Sequence, residues 1–248
     1  MRRVIPCLDT RDGRVVKGVR FRDLRDAGTP ALLAARYAAQ GADEIVLLDI
    51  SATLEGRANA LATVRAVRQV LDIPLTVGGG VRDTGDVERL LEAGADKVAV
   101  NSAAVERPDL LSELAARFGR QCITLAIDAR RRAEDWEVVT RSGSAPTGRE
   151  VVGWAEAAGR LGAGEILLTS IDRDGTRDGY DLALLRAVTA RVPVPVIASG
   201  GGATVAHLHA ALAAGADAVL AASMFHDGDM TVAQVKQALA EAGAEVRT

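Results

Sequence analysis

The sequence is poor in cysteine, histidine and aromatic residues. Its two cysteines, Cys7 and Cys122, lie in apolar stretches, so we interpret them as buried small side chains, not as a disulfide framework; this usage predicts a reducing cytoplasm. The three histidines predict no metal site, because His207 and His209 stand two apart on a helix and therefore face different ways; His226 is expected in a loop. With only 3% aromatic residues, the core must consist mainly of Ala, Val, Leu and Ile.

The sequence also lacks a strong charge of one sign and any long apolar run. A formal net charge of −3 argues against non-specific nucleic-acid binding, since such binding needs a basic surface to neutralise phosphates. No stretch approaches the roughly 18 uncharged apolar residues of a membrane span, and the first residues lack the apolar run of a signal peptide. We therefore expect no nucleic-acid partner, no membrane association and a cytoplasmic location.

Short Val/Ile/Leu runs alternate with longer Ala/Leu segments along the 248 residues. The apolar runs are largely continuous and do not alternate with polar residues, as is typical of parallel strands covered on both faces. They predict strands at residues 4–9, 44–50, 75–78, 97–101, 123–128, 166–170, 194–199 and 218–222. The intervening segments predict helices at residues 31–40, 58–71, 84–93, 108–118, 150–161, 182–191, 205–214 and 231–241.

Eight strand–helix pairs predict an α/β fold, a single-domain (β/α)8 TIM barrel, and chains of this length often form one such domain. The alternative is an open doubly wound sheet. That fold usually has a G-x-G-x-x-G turn after its first strand, and the turn containing Asp12 and Gly13 is not one.

The chain repeats itself at a constant offset of 121 residues. Chance similarity between Ala/Gly-rich stretches is the alternative explanation, but one offset over several separate matches makes it a poor one. We therefore predict one domain, residues 1–248, built from half-barrels of about 1–121 and 122–248. The matching pairs include Gly41-Ala42-Asp43-Glu44-Ile45 with Gly162-Ala163-Gly164-Glu165-Ile166, Gly79-Gly80 with Gly200-Gly201, and Gly94-Ala95-Asp96 with Gly215-Ala216-Asp217.

Two aspartates end buried strands, Asp9 on the first and Asp128 on the fifth. Catalytic groups of TIM barrels sit at these C-terminal strand ends. Two carboxyl groups facing one substrate can divide acid and base work; a structural Asp bonded to backbone N–H groups is the alternative for either one. Lys17, after the first turn, can bond a substrate oxygen, pair with Asp9 or be solvated.

Glycine-rich and polar stretches follow other strands at the same end. Glycines let backbone N–H groups approach an anion, and loops after strands seven and eight are a frequent phosphate site in this fold. The same pattern recurs after strands three and four, which predicts two phosphate sites and a substrate phosphorylated at both ends; glycines that only make tight turns are the alternative. The stretches are Gly78-Gly79-Gly80, Asn101-Ser102, residues 172–176, residues 199–202 and Ala222-Ser223.

Charged residues stand at the opposite, N-terminal strand ends: Arg3, Glu44, Lys97 and Glu165. Two interpretations stay open from the residues alone, a salt-bridged plug that stabilises the barrel floor and a polar gate. Separately, residues 129–148 are long and polar with a strand-like centre, and they predict a hairpin that forms a lid or a wall over the site.

Several long motifs resemble one family. They include Ile5-Pro6-Cys7-Leu8-Asp9, Thr76-Val77-Gly78-Gly79-Gly80 and the run over residues 164–176. Over essentially its whole length the chain resembles the cyclase subunit of imidazole glycerol phosphate synthase, a lyase of histidine biosynthesis. The resemblance implies that ammonia attacks a bisphosphorylated ribulosyl aminoimidazole carboxamide ribonucleotide, giving imidazole glycerol phosphate and the carboxamide ribotide, without a metal or cofactor.

The resemblance also implies roles for individual residues. It makes Asp9 and Asp128 the catalytic pair; Lys17 is predicted as a substrate ligand from its place after the first turn. One phosphate would be held by Gly80, Asn101 and Ser102. The other would be held by Asp174, Gly175, Gly201, Ala222 and Ser223.

A partner is implied as well: a glutaminase subunit docked on the N-terminal barrel face as a heterodimer, which sends ammonia through the barrel. This favours the gate interpretation of Arg3, Glu44, Lys97 and Glu165. Two competing functions remain, the sister phosphoribosyl isomerase of the same pathway and a non-catalytic phosphosugar-binding barrel. Turnover with and without ammonium salts separates the cyclase from the isomerase, and a non-catalytic barrel would bind the substrate without consuming it.

Overall fold

The computed structural model of the chain describes residues 1–19, 22–53, 55–56 and 59–247; for residues 17–19 and 22–25 it describes the backbone only. The strands are β1 Arg3–Arg11, β2 Arg14–Val19, β3 Arg22–Gly28, β4 Ile45–Asp49, β5 Leu75–Gly78, β6 Lys97–Val100, β7 Ile123–Arg132, β8 Asp135–Thr140, β9 Ala145–Glu150, β10 Glu165–Ser170, β11 Val196–Ser199 and β12 Ala218–Ala221. The helices are α1 Pro30–Ala39, α2 Leu61–Arg68, α3 Thr84–Glu92, α4 Ser102–Glu106, α5 Asp109–Phe118, α6 Val151–Leu161, α7 Leu182–Thr189, α8 Val205–Ala213, α9 Ser223–His226 and α10 Val232–Glu241.

Eight of these strands form a closed parallel barrel in the order β1, β4, β5, β6, β7, β10, β11, β12 and back to β1. Each matches one predicted strand, so the predicted (β/α)8 TIM barrel is confirmed. In this order β1 stands directly across the barrel from β7. By the same count β5 stands across from β11, and β6 across from β12.

Side chains along each barrel strand point alternately into the barrel and outward to the helices. In β1, Cys7 belongs to a small cluster inside the barrel, whereas Leu8 packs in the large cluster under the helices. Arg3 and Asp9 have the parity of Cys7, so both face the interior, six residues or about 20 Å apart along the strand. One strand thus carries a residue of the barrel floor and a residue of its mouth.

Two antiparallel additions leave the barrel at the C-terminal strand ends. The predicted hairpin over residues 129–148 is confirmed: β7 runs on to Arg132 and pairs with β8, which pairs with β9. The hairpin of β2 and β3, which pairs with the end of β1, was not predicted. Strand β3 is mostly polar, and the valines of β2 (Val15, Val16 and Val19) do not alternate with polar residues, so neither strand gives an alternating apolar signal.

The eight predicted helices are all present with shifted ends. The second begins at Leu61, and residue 58, where its start was predicted, lies outside the described residues. Two short helices, α4 and α9, were not predicted, and His226 ends α9 instead of lying in a loop, which corrects the prediction for this residue. In the described part of the chain, no helix has the length and apolar character needed to cross a membrane.

Equivalent contacts occur at the repeat offset. The carboxylate of Asp96 accepts a hydrogen bond from the backbone N–H of Leu75 at 2.8 Å. The carboxylate of Asp217, 121 residues later, accepts one from the N–H of Val196 at 3.0 Å. The boundary of the two half-barrels stays a prediction.

Candidate active site

A cavity opens at the C-terminal ends of the barrel strands, with about 1170 Å³ of space between its walls including the open mouth. The predicted catalytic and phosphate-binding residues, apart from Lys17, all line it: Asp9, Gly80, Asn101, Ser102, Asp128, Asp174, Gly175, Gly201, Ala222 and Ser223. The backbone of Lys17 lies in β2, but its side chain is outside the described residues.

Asp9 projects into this cavity from β1. Cys7 precedes Asp9 by two residues, so both side chains lie on the same face of β1. The Cys7 thiol donates a hydrogen bond to Asp9 Oδ1 at 3.3 Å. Cys7 is buried, as predicted, whereas Cys122 is only half-buried, which corrects the prediction that both cysteines are buried. Cys7 nevertheless lines the cavity, so it is more than a core filler.

Asp128 projects from β7 on the opposite wall. Asn101 Nδ2 donates to its Oδ2 at 3.0 Å, which favours the ionised carboxylate. Burial works against ionisation more strongly, and the negative charges of Asp174 and Asp9 add to it, so the pKa of Asp128 is raised to about 7. Near neutral pH this carboxyl group therefore exchanges its proton readily, which suits a general acid or base.

The glycine loops bring backbone into very close contact. A Cβ on Gly79 (φ +96°) would lie 2.1 Å from the carbonyl oxygen of Asp49, and one on Gly200 (φ +92°) would lie 2.6 Å from that of Ser170. Only glycine fits either position, because the φ is left-handed and the space is filled. The two loops have the same construction on opposite sides of the cavity.

The short helices α4 and α9 begin at the cavity wall. Their N-cap residues, Asn101 and Ala222, have similar backbone conformations, with φ of −123° and −125°, and neither caps its helix with a side chain. The first N–H groups of each helix therefore remain available to an anion in the cavity. The Ser102 hydroxyl accepts a hydrogen bond from the N–H of Arg141 at 3.2 Å.

The cavity has further lining residues that the sequence analysis missed: Asp49, Thr53, Ser142 and Arg177. Asp49 comes directly after the apolar run of β4, just as Asp9 and Asp128 come directly after the apolar runs of β1 and β7, so the same signal was present. It accepts hydrogen bonds from the N–H and hydroxyl of Ser51 at 3.3 and 3.2 Å, which makes it a candidate for a structural carboxylate.

Ser142 comes from the turn between β8 and β9. Its hydroxyl donates to the carbonyl of Ile50 at 2.9 Å, across 92 residues of sequence. The turn thereby forms part of the cavity wall, one of the two roles expected for this insertion. Only the folded chain brings Ser142 to the site, so no local pattern predicts it.

The four charged residues at the barrel floor form a closed ring. Lys97 Nζ donates to Glu44 Oε2 at 3.0 Å and to Glu165 Oε2 at 2.8 Å. Arg3 donates to Glu44 Oε2 at 2.8 Å and also to Glu165. Thr76 Oγ1 donates to the other oxygen of Glu44 at 2.5 Å. The predicted cluster is therefore assembled, with each carboxylate held between two cations.

A closed (β/α)8 barrel with opposed carboxyl groups and glycine loops at the C-terminal strand ends has the architecture of a TIM-barrel enzyme. The family model described as histidine biosynthesis protein matches residues 3–231. Relatives from Mycobacterium tuberculosis and Mycobacterium bovis, each called imidazole glycerol phosphate synthase subunit HisF, are 58% identical over 252 aligned positions, covering 99% of this chain and 94% of theirs.

The chain belongs to the HisF family of imidazole glycerol phosphate synthase subunits. The predicted function is thereby confirmed at the level of the family: the chain is an enzyme subunit, a cyclase with lyase activity, in histidine biosynthesis. The relatives are named as subunits, so they work in an assembly with another chain.

Proposed function

We propose that the cavity holds the bisphosphorylated ribulosyl aminoimidazole carboxamide ribonucleotide with its reacting centre between Asp9 and Asp128. One observation carries this proposal. The two carboxyl groups stand on β1 and β7, directly across the barrel, and both line a single cavity. Burial and the charge of Asp174 raise the pKa of Asp128 most, and the charge of Asp9 raises it further. This electrostatic effect supports the placement of Asp9 and Asp128 in one site.

The phosphates of this substrate would occupy the two glycine-loop walls. Gly80, Asn101 and Ser102 would hold one of them. Asp174, Gly175, Gly201, Ala222 and Ser223 would hold the other. One phosphate wall follows β5 and β6, and the other follows β11 and β12 on the opposite side of the barrel. A line that joins the two phosphate positions therefore crosses the line that joins Asp9 and Asp128. A long substrate fixed at both ends would thus present its middle to the two carboxyl groups.

The reaction requires proton transfers at this middle part. Attack of ammonia on the ribulosyl arm releases protons from nitrogen and delivers protons to oxygen, and the later cleavage reverses such transfers. With a pKa of about 7, Asp128 can take part in either direction near neutral pH. Asp9 would serve the opposite face of the substrate, held in place by the Cys7 thiol.

Ammonia would enter from the barrel floor, supplied by a glutaminase subunit that docks on the N-terminal face to form a heterodimer. Lys97 bridges Glu44 and Glu165, so displacement of one amine opens the ring on that side. Above the ring the inward side chains include the small Ala99 and Ala126, which leave room for a small neutral molecule. The cytoplasm, where free thiols persist, is the expected compartment.

The test is an assay of the isolated chain with the bisphosphorylated substrate at alkaline pH, with and without ammonium salts. Release of both products only with ammonium supports the proposal. Conversion of the substrate without ammonium would indicate the sister isomerase instead, and binding without consumption would indicate a non-catalytic barrel. The Asp128→Asn variant serves as the control, because it keeps the shape of the cavity and removes the titrating group.

A further inference from the structure

The side chains that line the cavity carry more acidic than basic groups, which disfavours binding of a phosphorylated ligand. Four carboxyl groups line the cavity, those of Asp9, Asp49, Asp128 and Asp174. Among the lining side chains that the structure describes, the cation is Arg177. A ligand with a phosphate at each end brings further negative charge, and backbone N–H groups supply only partial charges against it. The guanidinium of Arg177 is therefore the group best suited to balance one phosphate.

Arg177 lies in the loop between β10 and α7, and its backbone is held in an unusual conformation. Its φ is +66°, between Gly175 at +71° and Gly179 at +89°. A left-handed φ is disfavoured for a residue with a side chain, so the surrounding loop must impose it. The N–H of Gly179 donates to the carbonyl of Gly201 at 2.9 Å, which ties this loop to the glycine loop after β11.

The guanidinium of Arg177 contacts the segment that follows α9. It donates to Asp227 Oδ2 at 3.2 Å and to the carboxylate of Asp229. Asp227 is the C-cap residue of α9, and Ser223, the first residue of that helix, lines the cavity. Four helical residues span about 6 Å, so the guanidinium is held roughly one helical turn from the proposed phosphate position. Its side chain is 45% exposed, which leaves it free to change rotamer.

We propose that Arg177 is the cationic partner of the phosphate bound beside Gly201 and Ser223, and that Asp229 holds its guanidinium while that position is empty. This rests on the proposed function, since it assumes a phosphate at this wall. Binding would exchange a carboxylate partner for a phosphate partner, and a planar guanidinium binds both in the same two-pronged way. Arg177 would then select a dianionic phosphate over a neutral group at this end of the substrate.

Titration of the full chain with inorganic phosphate, followed by the backbone amide resonances, tests the proposal. The amides of Gly201 and Ser223 report on one wall, and those of Gly80 and Ser102 report on the other. Arg177→Gln should weaken phosphate binding at the wall of Gly201 and Ser223 (the Gly201 wall) roughly tenfold, which is the effect of losing one charge-assisted hydrogen-bond partner. Phosphate binding at the wall of Gly80 and Ser102 (the Gly80 wall) should stay unchanged. The KM for the bisphosphorylated substrate should rise while kcat stays within about twofold.

Asp229→Asn should have the opposite effect, because it removes one of the two carboxylates that hold the guanidinium, leaves the contact with Asp227, and so tightens phosphate binding beside Gly201 and Ser223. The matched control is Arg173→Gln, which removes an exposed arginine of the same loop that does not line the cavity. Equal binding to the wild type and Arg177→Gln, or weaker binding to Asp229→Asn, would overturn the proposal for Arg177. If phosphate moved neither pair of amides in the wild type, the phosphate sites of the proposed function would fail, and this proposal with them.

Discussion

Asn101 donates a hydrogen bond from its side-chain amide to the carboxyl group of Asp128, with 3.0 Å between Nδ2 and Oδ2. Asn101 is also the N-cap residue of α4, the short helix that begins at the wall proposed for one phosphate. Its Oδ1 is buried and has no hydrogen-bond partner among the residues that the structure describes, so the amide still has an acceptor to offer to a ligand. The two residues thus join a proposed anion site to the titrating carboxyl group of the same cavity.

This contact predicts opposite pH shifts for two variants. Asn101→Ala removes a donor that favours ionised Asp128, so the pKa of Asp128 should rise above its value of about 7. Asp174→Asn removes a negative neighbour, so the same pKa should fall. The inflection in turnover against pH, measured at a constant concentration of free ammonia, should move to higher pH in the first variant and to lower pH in the second.

Asp178→Asn is the matched control for this pair, because Asp178 is exposed in the same loop as Asp174 and does not line the cavity. Its pH profile should coincide with that of the wild type. Profiles that stay in place for Asn101→Ala and Asp174→Asn would mean that Asp128 does not set the pH dependence of turnover.

Asp128→Asn should abolish most turnover and also change how stability depends on pH. The raised pKa means that folded Asp128 retains a proton between pH 3.8, its ordinary value, and about 7, whereas the unfolded chain releases it. Over this range the wild type therefore loses folding free energy from this group as the pH rises, and the amide variant does not. The difference in Tm, variant minus wild type, should be larger at pH 8 than at pH 5; an identical difference at both would contradict the raised pKa.

Asp9→Asn should lower kcat by between about 10² and 10⁴, the usual contribution of a positioned acid or base. Binding of the bisphosphorylated substrate should persist, because the proposed phosphate walls belong to other strands. Calorimetric titration beside steady-state kinetics separates the two quantities. Loss of binding to the same extent as turnover would show that Asp9 has a structural role.

The fold was predictable because its signal is local and repeated. The barrel strands are built on largely continuous apolar runs, and glycines such as Gly162, left-handed at φ +113°, end helices. The missed elements lack that signal. The helix α4 has five residues, too few to show helical periodicity. In the β2–β3 hairpin, β3 is mostly polar and the valines of β2 do not alternate with polar residues.

The site was predictable where a polar side chain comes directly after an apolar run of the sequence. Asp9, Asp128 and Asn101 all follow this rule, and Asp49 would have been found by the same rule. Ser142 lies outside its reach, because only folding brings its turn against Ile50. Arg177 could not be predicted as a site residue for a different reason. Its sequence neighbours indicate a loop, but they do not indicate the direction in which a long side chain points.

Lys97→Met distinguishes the two roles considered for the charged ring at the barrel floor, a polar gate for ammonia and a salt-bridged plug that only stabilises the barrel. Loss of the amine leaves Glu44 and Glu165 facing each other with Arg3 as their shared cation in the ring. If the ring admits ammonia, glutamine-dependent turnover with the partner subunit should fall severalfold, while turnover with ammonium salts, measured on the same preparation, should change little. If the ring is only a plug, the two activities should fall together with the Tm.

Lys236→Met provides the matched control for a lost buried ion pair. Lys236 contacts Asp43 at 3.0 Å and the carbonyl of Gly41 at 2.8 Å, apart from the four-residue ring. Removal of one partner from such a pair costs about 3–5 kcal/mol of stability, so Lys236→Met should lower the Tm and reduce both activities by the same factor. A selective loss of glutamine-dependent turnover in Lys97→Met but not in Lys236→Met therefore assigns the effect to the ring itself, since stability alone would affect both variants alike.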